Sequence, residues 1–164
     1  MSRASIRHAV GTYLRSPQIA GVGTVFDSPP KISVAGDAFE NLPAGSPTGA
    51  VVYVEILQAQ EIREALGGPV AGAKLVTYDL RIHLLARSSQ AAAEAAMDDH
   101  DAIVDLILQR LRADRTLGTA GAILQAGEGA AGITVQTGMP KRTGTGNTHI
   151  WSLIDSQVQE WLVA

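Results

Sequence analysis

Apolar and polar residues alternate along the segment from Lys74 to Arg87. Six apolar residues occupy every second position there: Val76, Tyr78, Leu80, Ile82, Leu84 and Ala86. A period of two is typical of a strand with one buried and one solvent-facing side. The segment Val51–Ala59 predicts a preceding strand with a similar buried face, but its second side mixes Glu55 with Tyr53 and Leu57. We expect that second side to contact another surface.

An amphipathic helix is predicted from Ser89 to Arg112. Ser88 and Ser89 are candidate N-cap residues, and three alanines follow them. At 100° per residue, one apolar stripe gathers around a histidine: Ala93, Ala96, Met97, His100, Ile103, Val104, Ile107 and Leu111. The opposite side of the helix is acidic, and this arrangement predicts a helix that lies on a sheet.

These elements predict an α+β fold, in which a mixed or antiparallel sheet contains a long hairpin packed by the amphipathic helix. The other predicted elements are a helix at Ser5–Arg15 and strands at Val22–Phe26, Ala122–Gln125 and Ile133–Thr137. Loops are predicted at Pro29–Gly49, Gln60–Ala73 and Gly138–Asn147. The last segment, His149–Leu162, fits a helix or a strand, and its β-branched residues and Trp151 favour a strand.

Composition narrows the class of protein. The 164 residues predict one domain, 1–164, long enough to bury about 70% of its unfolded surface. Thirteen basic and 16 acidic residues give a net charge of −3, which provides no basic footprint for wrapping nucleic acid. There is no cysteine, and neither a secretion signal nor a run of 18 apolar residues is present. We therefore expect a protein made in a reducing cytoplasm, outside the membrane.

Two groups of residues invite a catalytic or metal-binding interpretation. Asp98, Asp99 and Asp101 flank His100, but on a helix His100 points about 160° away from Asp98, so the group predicts a solvated acidic face instead of a metal site. Asp79 and His83 project from one strand face, where a small hydrolase or metal enzyme could use them. No nucleophile elbow accompanies them, and Gly138–Gly146 lacks the order of a phosphate-binding loop. The sequence thus predicts no catalytic residue, no metal and no cofactor.

The polar side of the second strand is better interpreted as a contact surface. Alternating charges on a sheet face can pair with charges of a partner subunit. The predicted oligomer-interface residues are Arg63, Asp79, Arg81 and His83. An interface there requires each charge to be paired, because a desolvated lone charge is costly.

The order of the segments resembles tail terminator proteins of long-tailed bacteriophages. The resemblance follows the N-terminal helix and the acidic alanine-rich helix, and it is carried by short motifs over nearly the whole chain: Ile19-Ala-Gly-Val-Gly-Thr-Val-Phe, Pro29-Pro-Lys, Glu61-Ile-Arg, Gly67-Gly-Pro, Gly72-Ala-Lys-Leu-Val-Thr-Tyr-Asp-Leu, Asp114-Arg-Thr-Leu-Gly and Ile150-Trp-Ser-Leu. These motifs are structural, not catalytic.

The resemblance implies a structural virion protein of the tail and neck. It implies a homo-oligomer, a hexameric ring, which caps the head-proximal end of the tail tube, ends tube polymerisation and joins the tail to the head. The implied partners are the tail tube protein and a head-completion or stopper protein, and DNA passes through the ring without sequence-specific binding. Two alternatives stay open: a head-tail stopper, adaptor or tail-completion protein of the same neck, and the small enzyme considered above.

Overall fold

The computed structural model describes residues 2–29, 49–63, 72–90, 92–118, 124–126, 132–142 and 146–163. Within these ranges the chain forms two helices and seven strands: α1 (Arg3–Arg15), β1 (Val22–Phe26), β2 (Gly49–Arg63), β3 (Ala73–Ser88), α2 (Ala93–Ala113), β4 (Leu124–Ala126), β5 (Thr134–Thr137), β6 (Lys141–Arg142) and β7 (Thr148–Val163). This architecture confirms the predicted α+β class.

All seven strands belong to one mixed sheet with the order β1-β2-β3-β7, and β4, β5 and β6 share the far edge of β7. β1 runs parallel to β2, and the other pairs are antiparallel. β3 and β7 pair along their whole length, from Ala73 opposite Val163 to Ser88 opposite Thr148. The choice of a strand for the last segment is therefore confirmed, because β3 satisfies its backbone hydrogen bonds along its whole length.

The core lies on one face of this sheet. α1 packs on β1 and β2, and α2 packs on β3 and β7. The predicted buried residues of β3, from Val76 to Ala86, are all at most 6% exposed. The sequence predicted α2 to lie across the β2–β3 hairpin, but it lies across β3 and β7, because β7 is inserted beside β3 from the far end of the chain.

The start of α2 differs from the prediction. The helix begins at Ala93 with Ala92 at the N-cap, and no side chain caps it. Ser88 is the last residue of β3, where its hydroxyl donates to Asp99 (3.2 Å) and accepts from the Gln90 backbone amide (3.1 Å). The pairing of Ser88 with Thr148 places the first of the two expected cap residues in the strand. Ala93 was predicted to belong to the apolar stripe, but it is exposed. Leu108 was not predicted to belong to it, but it is buried.

β2 is longer than predicted, and it carries a β-bulge at Leu57. Residues Gln60–Arg63, expected in a loop, continue the pairing with β3 as far as Arg63 opposite Lys74. At the bulge the Arg3 guanidinium donates to the carbonyls of Ile56 (2.7 Å) and Leu57 (3.3 Å). Beyond it, residues 58–62 are exposed. The loop predicted at Gly138–Asn147 likewise contains the short strand β6, and most of the loop predicted at Pro29–Gly49 lies outside the described residues.

Candidate interaction surface

The face of the sheet opposite the helices carries three of the predicted interface residues. Asp79, Arg81 and His83 alternate along β3 on this face, and each is half-buried. Arg63 ends β2, and its side chain is outside the part of the chain that the structure describes. The structure therefore brings Asp79, Arg81 and His83 onto one surface, as the period of two predicted.

Arg81 lies between two carboxylates from neighbouring strands. Glu55 is its partner in β2 and Asp155 its partner in β7. The guanidinium donates two parallel hydrogen bonds to Asp155, at 2.7 Å from Nε and 2.8 Å from Nη2. These hydrogen bonds raise the pKa of Arg81 above its usual value, with smaller contributions from the charges of Asp155 and Glu55. A two-pronged pair of this kind fixes orientation as well as charge.

His83 is held from two directions. Its Nε2 lies 2.9 Å from the Glu55 carboxylate, and its ring stacks on Tyr53 with centroids 4.1 Å apart and planes 11° from parallel. Burial, followed by the charge of Glu55, raises the pKa of the Tyr53 phenol. Tyr53 on the second side of β2 thus packs beside its neighbour on β3, and the expectation that this side contacts another surface stays a prediction.

Asp79 completes the set by accepting a 3.0 Å hydrogen bond from the Gln157 side chain. Each of these three residues consequently has a partner within its own sheet, whereas the sequence predicted the partner on another subunit. Glu55, Asp155 and Gln157 were missed as partners, because pairing between strands far apart in sequence is not visible in a local pattern. The sequence signal that pointed to these partners was the alternation of polar residues, Asp155 and Gln157, in the last segment.

The structure does not bring together Asp79 and His83, the two residues that an enzyme was expected to use. Asp79 and His83 are four residues apart along a strand, or about 13 Å, and each contacts a different side chain. The chemistry of this face is that of a half-buried polar surface with fixed charges. Such a surface can recognise a protein partner of complementary charge.

A chain of polar groups, buried at its centre, links α2 to the sheet. His100, 1% exposed, places Nδ1 3.1 Å from the Asp101 carboxylate and Nε2 3.1 Å from the Ser152 hydroxyl. Ser152 is fully buried and also contacts the Thr137 hydroxyl at 2.8 Å. The order acid, imidazole and hydroxyl resembles a catalytic relay, but a fully buried hydroxyl offers no access to a substrate. These contacts therefore attach α2 to β7 and β5. No pattern in the sequence indicated a role for Ser152.

The acidic side of α2 is exposed, as predicted. In the described ranges no group of three or more histidine, aspartate or glutamate residues is arranged to hold a metal ion. Neither described helix has the length and apolar character needed to cross a membrane.

Two exposed apolar side chains lie near the beginning of β7. Trp151 is 45% exposed, and Met139 is 87% exposed. Gly138 donates its backbone N–H to the Trp151 carbonyl at 2.9 Å, and a Cβ at this glycine would overlap the indole ring. Glycine is therefore required for the ring to lie across the chain at this point.

No protein-family model matches the sequence, and no curated protein matches it. One solved structure aligns with 97% of this chain and 99% of its own chain, at 13% identity and a TM-score of 0.31. That structure is described as the virion of a native gene transfer agent particle.

Proposed function

We propose that this chain is a structural virion protein, the terminator of a phage tail, which assembles as a ring on the head-proximal end of the tail tube. The order of motifs from Ile19 to Leu153 carries the proposal, because it follows the tail terminator pattern through nearly the whole chain. As a ring the protein ends tube polymerisation, and it then offers its other side to the head.

The chemistry of the described surface supports an assembly role. The open face of the sheet carries polar and charged side chains that are held in fixed positions by hydrogen bonds, which suits recognition of a protein surface. The net charge of −3 suits a ring through which DNA passes without being held. Asp79, Arg81 and His83 are proposed to border a neighbouring subunit, with hydrogen bonds to side chains of their own sheet already formed before assembly.

The test is to measure mass and tube length together. Multi-angle light scattering of the purified protein should give a multiple of the 17.1 kDa chain mass, and six chains are expected. Added to polymerising tail tube protein, it should shorten the tubes and be seen at one end by electron microscopy. A protein that stays monomeric and leaves tube length unchanged would contradict the proposal.

A stopper or adaptor of the same neck would give a different result in this experiment. It would form a ring without binding bare tubes, and it would bind tubes only after a terminator had been added. The point in the assembly order at which the protein binds thus separates the two roles.

A further inference from the structure

We infer that neighbouring copies of this chain join edge to edge, with the outer edge of β2 pairing to the outer edge of β5 of the next copy. The inference rests on the ring assembly proposed above, and it names the two surfaces that would form each contact. It is drawn from the sheet topology and the exposure of the two edges.

The first edge lies on β2 beyond the bulge. Among the described residues, β1 is the strand beside β2 on this side, and it ends with Phe26 opposite Tyr53. Residues 58–62 continue for about 17 Å with β3 on their other side. All five are exposed, and Ile62 is 43% exposed although it is apolar. In the described part of the chain, no strand pairs with the outer edge of residues 58–62.

The second edge lies at the opposite side of the same sheet. β5 pairs with β7 through Thr134–Thr137, and all four of its residues are exposed. Val135, 38% exposed, is apolar like Ile62 on the first edge. One copy of the chain consequently carries two accessible strand edges on opposite sides of one sheet.

The outer edge of β1, by contrast, is protected by side chains that donate hydrogen bonds to its carbonyls. The carbonyl of Val22 accepts a 3.0 Å hydrogen bond from the Gln18 side chain, and that of Val25 accepts one at 3.1 Å from Arg15. Natural proteins also protect edges with lysine or proline. Neither residue occurs in Gln58–Ile62 or in Thr134–Thr137. The two edges thus carry no lysine or proline, and Glu61 is the one charged residue among these nine positions.

The strand directions favour a second copy as the occupant. β2 and β7 both run antiparallel to β3, and β5 runs antiparallel to β7, so β5 points opposite to β2. β5 lies level with Val52–Glu55 of β2, so a neighbour with its helices on the same face must be displaced along the strands for its β5 to meet residues 58–62. In that position the two strands are antiparallel. Antiparallel pairing is the more stable arrangement per residue. Because the two edges differ, the contact is head-to-tail, and such contacts close into a ring when the rotation allows it.

The first experiment blocks one edge at a time with lysine. Gln60→Lys/Ile62→Lys changes the β2 edge, Thr134→Lys/Gln136→Lys changes the β5 edge, and Leu106→Lys/Gln109→Lys adds the same charge to the exposed side of α2 as a control. We expect each edge variant to have the mass of one 17.1 kDa chain and the control to keep the wild-type mass. An equimolar mixture of the two edge variants should give a dimer and nothing larger, because one intact edge of each kind remains.

Wild-type mass in both edge variants would overturn this inference and leave the ring itself standing. A mixture that stays monomeric would overturn the head-to-tail pairing. A wild-type protein that is itself monomeric would instead refute the proposed function.

A second experiment does not depend on how well the lysine variants fold. The chain has no cysteine, so Gln60→Cys/Gln136→Cys carries thiols only at the centres of the two edges. A short bis-maleimide should convert the assembled protein into a ladder of covalent multimers. Each single-cysteine variant should stop at the monomer band, because its own thiol lies opposite an edge without one. Absence of a ladder in an assembled double variant would overturn the edge pairing.

Discussion

Charge pairs between neighbouring strands organise the polar face of the sheet at the scale of single residues. Arg81 has Glu55 on one side and Asp155 on the other, so it neutralises carboxylates from two strands. Reversing its charge would place three carboxylates in one row. Arg81→Glu would therefore lower the stability of the single chain, and a loss of assembly in that variant would not by itself identify an interface.

The Arg81–Asp155 pair should contribute measurably to stability. Both side chains are 28% exposed, and two hydrogen bonds join them. Such a geometry is stronger than an exposed ion pair, and we expect Asp155→Ala to cost about 1–2 kcal/mol. Urea unfolding of Arg81→Ala, Asp155→Ala and the double variant should give a coupling of about 1 kcal/mol. Additive effects of the two changes would show that the pair contributes nothing.

The carboxylate of Asp114, at the C-terminal end of α2, should make the stability of the protein depend on pH. Its carboxylate accepts from the Thr116 hydroxyl (2.6 Å), the Thr116 amide (2.8 Å) and the Gly118 amide (3.0 Å). These hydrogen bonds, that of the Thr116 hydroxyl first, lower the pKa of Asp114. Since the folded pKa lies below the unfolded value of about 3.9, the stabilisation is complete above that value and is lost as the pH falls through the folded pKa.

The melting temperatures of the wild type and Asp114→Ala should test this directly. Their difference should be constant above about pH 5 and shrink as the pH falls below about 4. Thr116→Val removes the first donor and should make the pH-dependent part smaller. A difference that does not change with pH would contradict the role of the charged carboxylate.

At the scale of elements, α2 is attached to the sheet by an apolar stripe and one polar relay. Ile107 is fully buried, whereas its neighbour Leu106 is 38% exposed. Ile107→Ala should cost about 2–5 kcal/mol because it leaves a cavity, and Leu106→Ala should cost about 0.5 kcal/mol or less. Chemical unfolding of the two variants measures both losses of unfolding free energy. Equal losses would mean that Ile107 does not belong to the apolar stripe that packs on the sheet.

The relay provides a second prediction for α2. Ser152→Ala removes the hydroxyl between His100 and Thr137, and the buried imidazole loses the partner of its Nε2. We expect a loss of about 1–3 kcal/mol. Ser156 is also buried on β7, but its hydroxyl makes only a 3.5 Å contact with a carbonyl. Ser156→Ala should therefore lower the stability clearly less than Ser152→Ala does. Thermal unfolding of both variants measures the two losses, and a larger loss for Ser156→Ala would show that the relay is unimportant.

On the scale of the whole molecule, the protection of backbone amides against hydrogen exchange should decrease from the centre of the sheet to its edges. β3 has a partner strand on both sides, β2 for Lys74–Arg87 and β7 for Ala73–Ser88. Its amides should exchange with solvent most slowly, and those of β1 and β5 in the isolated chain much faster. Hydrogen-exchange mass spectrometry at low and high protein concentration tests this. Protection of residues 58–62 and 134–137 that rises with assembly would agree with edge pairing, and unchanged exchange there would not.

The sequence by itself determined the elements and the faces they bury. Strict alternation in β3 and the stripe around His100 depend only on the period of each backbone, so the buried residues were predictable from local spacing. The partners of Arg81 and His83 were decided by tertiary structure, because β7 and β2 bring Asp155 and Glu55 beside them from distant parts of the chain. Tertiary structure also decided the position of α2, the contacts of Ser152 and the location of the two strand edges. Strand order depends on which backbone hydrogen bonds form between distant segments, and no local pattern of residues encodes that choice.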